Sequence, residues 1–398
     1  MQNILSAVEQ LDNNTQVLAK GVANIFEQQQ KQVDCYRTFG ELDFSLPMDG
    51  DSKTFMPTLT IEGQRGEPTV TRPLNDHALF QLMNKLNFDI RTARNVMPLA
   101  PASFTQLIND LKNEKGEEIS LIRSYDDAGV GQGYVRALLS KKYKLLDNAD
   151  VIESILPTVA NSEGNWEVVK TLFSDTKMLV SLRSRTFVGE PAVGDTMALG
   201  LQFLNSEVGQ GSCTLQQLMF TLACLNGMQT ANNLRKTHLG KSRSAEDLDV
   251  LTADTKRKIA DATLSEIKDN VAHYSQEISF NEQIELMRLA HEDTLPDNVD
   301  NYKLCESLAN NLEEHNKKDS SLLLESLYKT IHQEGYKNKP ISRATIVNTC
   351  TGVSNLNDRY NNADLQEISQ KAGNKILHMS KTAWRNLTSS AIPQPLVA

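Results

Sequence analysis

The chain has 398 residues, of which 39% are hydrophobic and 23% charged, enough for two or three domains with buried cores and unlike a disordered or fibrous chain. Lys and Arg number 41 against 50 Asp and Glu, a formal charge of −9. That balance excludes nucleic-acid binding through bulk positive charge but leaves room for a local basic groove.

Acidity is concentrated at residues 1–50, with three basic and seven acidic side chains, and at residues 251–300, with five and eleven. The body between and beyond them is nearly neutral. Residues 1–35 set Ile4, Val8, Leu11, Leu18, Val22 and Ile25 at helical spacing and predict an amphipathic helix. A linker or extended arm rich in Pro, Gly and Asp follows to residue 50. Residues 54–73 alternate loosely around GQRG and predict a hairpin. Behind an Asn75 or Asp76 cap, Ala78, Leu79, Leu82, Met83 and Leu86 share one helical face.

The central region has a different texture. EISLIRSY reads as a strand, GVGQGY as a glycine turn, and NADVIESILPTV as a helix stopped near Pro157. WEVVKTLF, KMLVSLRSRTFV and TMALGLQFLNS read as three strands. In the second, Met178, Val180 and Leu182 face one way and Leu179, Ser181, Arg183 and Arg185 the other, as in a half-buried strand. Leu215, Leu218, Leu222 and Leu225 then fall at helical spacing before Asn226-Gly227, predicting a helix with a C-cap. From about residue 254 the pattern is polar and helical. The expected fold class is therefore α+β: a central antiparallel sheet with a strand-strand-strand-helix core, an N-terminal helix and an all-α C-terminal region. The expected divisions are 1–50, 51–250 and 251–398.

Residues 1–14 carry no signal-peptide pattern, and no apolar run approaches the ~18 residues that span a bilayer. Cys35, Cys213, Cys224, Cys305 and Cys350 are scattered, without a C-x-x-C pair. This fits reduced thiols in a bacterial cytoplasm, with no membrane association and no zinc site.

The glycines at 129, 131 and 133 match neither G-x-x-x-x-G-K-[ST] nor G-x-G-x-x-G and fit a permissive turn. They precede Tyr134, Arg136, Lys141, Lys142, Tyr143 and Lys144, the densest basic and aromatic run in the chain. Cations neutralise phosphates and tyrosine rings stack on unpaired bases, so this run is a candidate single-strand groove, or else a solvated face. Lys170, Lys177, Arg183, Arg185, Arg235, Lys236, Lys241 and Arg243 extend it; Arg183 and Arg185, two residues apart, would meet successive phosphates. Asp126, Asp127, Asp147, Asp150 and Glu153 invite a metal-dependent nuclease reading, but Asp147 and Asp150 also suit a helix N-terminus. The histidines are isolated: His291 lacks the second histidine of H-E-x-x-H, and His238 has no local partner. Cys224 fits a core position rather than a nucleophile. No catalytic residue, metal site or cofactor is expected.

The run VRALLSKKYKLLDNADVIESILP resembles the hallmark of a phage/plasmid-like protein family of unknown function, through Arg136, Ala137, Leu139, Ser140, Tyr143, Asp147 and Asn148. FLNSEVGQGS (203–212), CLNG (224–227), LNDHALFQLMNKLN (74–87) and ATIVNTCTGVSN (344–355) resemble further segments of that family in the same order. The similarity spans about 74–360 and implies a mobile-element origin without implying a reaction. The order of elements at 166–227 is also similar, at fold level only, to ring-forming single-strand annealing proteins.

The expected function is that of a phage or plasmid DNA-metabolism protein binding single-stranded DNA, acting as an ATP-independent single-strand annealing recombination protein. It would assemble as a ring or filament of identical chains, with a host or phage protein as a further partner. Two alternatives are an interaction protein that counters host defence through acidic surfaces and a metal-dependent nuclease.

Overall fold

The computed structural model describes residues 2–11, 15–48, 54–64, 66–126, 133–222, 226–238, 253–311, 320–356 and 363–393. Two helices open the chain, α1 (Gln2–Glu9) and α2 (Thr15–Lys31). Ile4, Val8, Leu11, Leu18, Val22 and Ile25 are all buried, so the helical spacing was legible. The predicted helix runs too long, however. Residues 32–38 leave it to form β1 (Gln32–Thr38), where Val33, Asp34 and Cys35 interrupt the helical apolar spacing.

The supposed linker also holds a strand, β2 (Leu42–Ser45), which pairs with β3 (Thr58–Ile61). β3 in turn pairs antiparallel with β4 (Val70–Pro73), the predicted hairpin. The helix α3 (Asp76–Lys85) follows, capped by the Asn75 side chain accepting from the Ala78 amide. Next come α4 (Ile90–Val96) and α5 (Pro101–Glu114), then β5 (Ile119–Tyr125) and β6 (Val135–Ser140). β1, β5 and β6 make a three-stranded antiparallel sheet with β5 in the centre. Phe39, Leu59, Leu82, Phe104, Ile108 and Ile122 fill a core between these small sheets and α3–α5.

Helix α6 (Asn148–Ala160) runs on past Pro157. The helix ends within one turn of the proline, at Ala160, where losing one amide and crowding one carbonyl disturbs little helix. Five strands then form a single antiparallel meander: β7 (Trp166–Phe173), β8 (Met178–Ala192), β9 (Asp195–Asn205), β10 (Cys213–Thr221) and β11 (Asn226–Lys236). The predicted helix over 214–227 is therefore corrected to β10 and the start of β11; Cys224 lies outside the described residues. Every residue of β10 is buried. A strand covered on both faces loses its period-2 signal, and its leucines can fall at any spacing.

The same covering corrects the half-buried reading of β8, whose residues 178–182 are all buried. Glutamines inside this sheet are bonded to one another. Gln202 Nε2 donates to Gln216 Oε1 at 3.1 Å and to Gln370 Oε1 at 2.9 Å, while Ser181 Oγ donates to Gln202 Oε1 at 2.8 Å. These bonds offset much of the cost of burying Gln202, although Gln216 Nε2 has no partner among the described residues.

The helical remainder comprises α7 (Ala253–Tyr274), α8 (Glu277–Glu292), α9 (Asn301–Asn311), α10 (Ser320–Ile331), α11 (Arg343–Gly352), α12 (Ala363–Leu377) and α13 (Lys381–Thr388). All ten residues of α11 are buried, including Thr345, Asn348, Thr349 and Thr351. Their polar groups turn back to the helix backbone, as Thr349 Oγ1 does to the Thr345 carbonyl at 2.8 Å, or to neighbours, as Asn348 Nδ2 does to Gln333 Oε1. α11 packs between α12 and α10 and against β11. The architecture is α+β, with antiparallel sheets, an N-terminal helical segment and a C-terminal helical region. Among the described residues no helix is long and apolar enough to cross a membrane, and Cys35, Cys213, Cys305 and Cys350 are free thiols.

Candidate nucleic-acid interface

Segments distant in the chain, α3 and the stretch after β6, meet at one loop, residues 206–212 between β9 and β10. From α3, His77 Nε2 and Gln81 Nε2 donate to the Val208 carbonyl at 2.8 and 2.7 Å. After β6, Tyr143 donates its hydroxyl to the Ser206 carbonyl at 2.8 Å. Asn205 Nδ2 donates to the Leu146 carbonyl and to Asn148 Oδ1, both at 2.9 Å.

Glu207 is the hub of this junction. Its Oε1 accepts from the Asn148 amide at 2.6 Å, and its Oε2 from Arg136 at 3.0 Å. A carboxylate from a distant loop thus serves the N-terminus of α6, where the helix dipole favours negative charge. Asp147, the residue expected to cap that helix, sits at the cap position without a capping bond. It is drawn away by Arg123, which is 0% exposed and donates to Asp147 at 2.8 Å, to Asp34 at 3.1 Å and to the Glu207 carbonyl at 2.9 Å.

Two guanidiniums, Arg123 and Arg136, therefore face three carboxylates, Asp34, Asp147 and Glu207. This interior has no surplus positive charge to offer a phosphate. Burial pushes the Asp34 carboxyl above its ordinary range despite Arg123. Asp150, half-buried beside Asp147, is pushed up to about 6, first by burial and then by that neighbouring charge.

The structure sorts the candidate binding residues accordingly. Arg136 is 3% exposed and lies over the Tyr125 ring at 4.2 Å, so it is a structural cation and not a phosphate contact. Tyr143 is 8% exposed and stacks on His238 with ring centroids 4.8 Å apart. Its face is already occupied, which removes it as a base-stacking platform. Tyr134 is half-buried and packs edge-on against Tyr125 at 5.4 Å.

Arg183 and Arg185 do share a face of β8, but both donate to Glu167 on β7, at 2.6 and 3.0 Å. Burial raises the Glu167 carboxyl, yet the two guanidiniums outweigh it and hold the group below the ordinary range. The tandem arginines thus form a cross-strand clamp. Lys236 is paired with Glu266 of α7.

Of the remaining cations, Lys177 and Arg235 reach the 206–212 loop, and Lys144 follows Tyr143, which is bonded to it. Lys144 is exposed, and its amide donates to the His238 carbonyl at 2.6 Å, placing it beside the end of β11. Arg235 is exposed on that strand, and its Nε donates to Ser212 Oγ at 2.9 Å. Lys177, in the β7–β8 turn, approaches the same loop: a Cβ added to Gly211 would stand 3.9 Å from its Cε. Lys141 and Lys142 are half-buried in the turn leading to Lys144. Gly129, Gly131, Lys241 and Arg243 lie outside the described residues.

Of the carboxylates that suggested a nuclease, Asp126 pairs with Arg72 at 3.2 Å, Asp147 with Arg123, and Glu153 is exposed. Asp127 lies outside the described residues. Among the described residues no group of three or more His, Cys, Asp or Glu side chains is arranged to hold a metal ion.

Sequence reasoning missed Arg123, Asp34 and Glu207 as network members. One signal was available, an arginine inside the otherwise apolar strand EISLIRSY. No family model matches the chain, and no curated protein or solved structure is significantly similar to it.

Proposed function

We propose that the chain binds single-stranded DNA along the basic rim of the 206–212 loop, as a DNA-metabolism protein of a phage or plasmid in a bacterial cytoplasm. The observation that supports this reading is that Lys177 and Arg235 reach that loop from separate segments, while Lys144 follows directly on Tyr143, which is bonded to Ser206 in it. Lys141 and Lys142 extend the rim. The ionic network beneath it, centred on Glu207 and Arg123, fixes the positions of the loop and the α6 N-terminus.

The role of the protein would be to hold strands on a charged track and bring complementary ones together without ATP. The strand would be read through its backbone, with little base stacking, since Tyr143 is buried. Assembly into a ring or filament of identical chains would make the track continuous.

The test is fluorescence anisotropy of a labelled oligothymidine across a salt series, for the native protein and for a variant combining Lys144→Ala, Lys177→Ala and Arg235→Ala. Each lost phosphate contact lowers the log–log salt slope by ~0.7 for a single strand, so the triple variant should lose about 2. Absence of saturable binding at low salt, or an unchanged slope in the variant, would overturn the proposal. Electron microscopy with and without the oligonucleotide tests the assembly.

A further inference from the structure

A separate cavity of 280 Å³ lies where the β8–β9 turn meets the helical region. Pro191 of β8, Arg288, His291 and Glu292 of α8, and Tyr336 and Lys339 of the α10–α11 connection line it. Behind this lining sits Asp195, 1% exposed. Its Oδ2 accepts from His291 Nε2 at 2.7 Å and from the Tyr336 hydroxyl at 3.0 Å, and the two rings stack with centroids 5.4 Å apart. The other oxygen, Oδ1, is buried with no hydrogen-bond partner among the described residues.

A buried carboxylate that fixes an imidazole is costly when the only return is packing. Here the backbone is shaped to create it. Gly194 takes φ +83°, and a Cβ on Gly335 would stand 2.8 Å from the Gly194 carbonyl oxygen and 2.9 Å from the Asp195 Cβ. Only a glycine at 335 lets the following Tyr336 reach Asp195. With Nε2–H committed to the carboxylate, His291 keeps its second ring nitrogen for another partner.

The cations of the lining also retain donors. Lys339 uses two of its three N–H bonds on the Val193 and Gly335 carbonyls, at 2.9 and 2.7 Å. Arg288 spends three of its five on Glu285 and Glu292.

We propose that this cavity binds a small molecule bearing an oxyanion, a phosphate ester or a carboxylate, with Lys339 taking the charge, Arg288 donating a spare N–H while held by Glu285 and Glu292, and His291, oriented by Asp195 and Tyr336, as the third contact. Its size sits at the small end of ligand pockets, which suits a metabolite rather than a polymer. The site shares no residue with the basic rim and does not depend on DNA binding. A ligand here would touch both the sheet and the helical region, tying the β8–β9 turn to α8.

The experiment uses the whole protein carrying ¹³C-labelled histidine, with the His291 resonance assigned by His291→Gln. Sodium phosphate and sodium acetate are titrated separately at fixed pH, with sodium chloride at matched ionic strength as reference. A saturable His291 shift with phosphate, with acetate or with both is expected, the arms showing which oxyanion the site prefers. Lys339→Met, which alters an exposed side chain, should weaken that binding at least tenfold. Melting temperature is the second readout and needs no assignment: the preferred anion should raise it beyond chloride in the native protein but not in Lys339→Met. Shifts and melting points that merely follow ionic strength, or that survive in Lys339→Met, would overturn the proposal.

Discussion

Replacing Arg123 with methionine, of similar length but uncharged, removes three hydrogen bonds at once from a site with no exposure. Asp34 and Asp147, with side chains only 22% and 17% exposed, then face each other without a cation between them. Breaking a buried ion pair from one side costs ~3–5 kcal/mol, because the surviving carboxylates remain desolvated. We therefore expect Arg123→Met to lose about 4 kcal/mol in urea unfolding. Trp166 and Trp384, 1% and 3% exposed, supply the fluorescence signal. Adding Asp34→Asn and Asp147→Asn removes the uncompensated charge and should recover at least half of the loss. The pH dependence has a definite sign. Burial already holds the folded Asp34 carboxyl above its ordinary value, and losing the guanidinium raises it further. The variant's deficit should accordingly shrink as pH falls, since folding then favours the protonated carboxyl. A loss under ~1 kcal/mol, or a triple variant less stable than Arg123→Met, would refute the view that this network is held together by charge pairing.

Asp150 is pushed up to about 6. Its charging therefore opposes folding: the associated stability is fully present below about 3.8 and is lost as pH rises through about 6. Asp150→Asn should gain about 1 kcal/mol at neutral pH, limited by solvent screening of this half-buried group, and nothing near pH 4. Chemical denaturation at the two pH values checks this. Gly200 in β9 lies against Phe220 of β10, where an added Cβ would stand 2.3 Å from the ring. Gly200→Ala should cost about 2 kcal/mol by overpacking, read as a lowered urea midpoint. Tyr143→Phe removes the hydroxyl donated to Ser206 and should cost about 1 kcal/mol, while oligonucleotide affinity at a given salt stays unchanged. An affinity loss without a stability loss would instead make Tyr143 a stacking residue.

What the sequence disclosed depended on how many faces of an element meet water. Residues 1–25, α3 and the C-terminal helices other than α11 carry one apolar stripe each and could be read from spacing alone. β10 could not, because both of its faces are buried and its glutamines are bonded to residues far along the chain, Gln216 to Gln202 and Gln217 to Ser279. The basic run at 134–144 was visible as composition. The inward turn of Arg136 and Tyr143 was not, since it depends on Glu207 and Ser206, more than sixty positions away. Likewise nothing local to Arg183 and Arg185 announces that Glu167 lies opposite them until the β7–β8 register is set.

The wholly buried helix α11 and its neighbour α12 have a consequence for synthesis. The five-stranded sheet ends at Lys236, and α7 packs on β11 soon after, but α11 and α12, which pack on it more extensively, begin only at Arg343 and Ala363, and Gln370 of α12 completes the amide network of Gln202. A ribosome that has released the whole sheet has not yet released this part of its cover. Until then the nascent chain presents apolar strand surface and under-bonded amides to its surroundings, the kind of exposure that recruits chaperones and invites aggregation. A premature stop codon anywhere before α12 would thus leave more than a shortened helical tail. It would strip the sheet itself of a partner, and the truncated product should be handled by the cell as an unfolded chain.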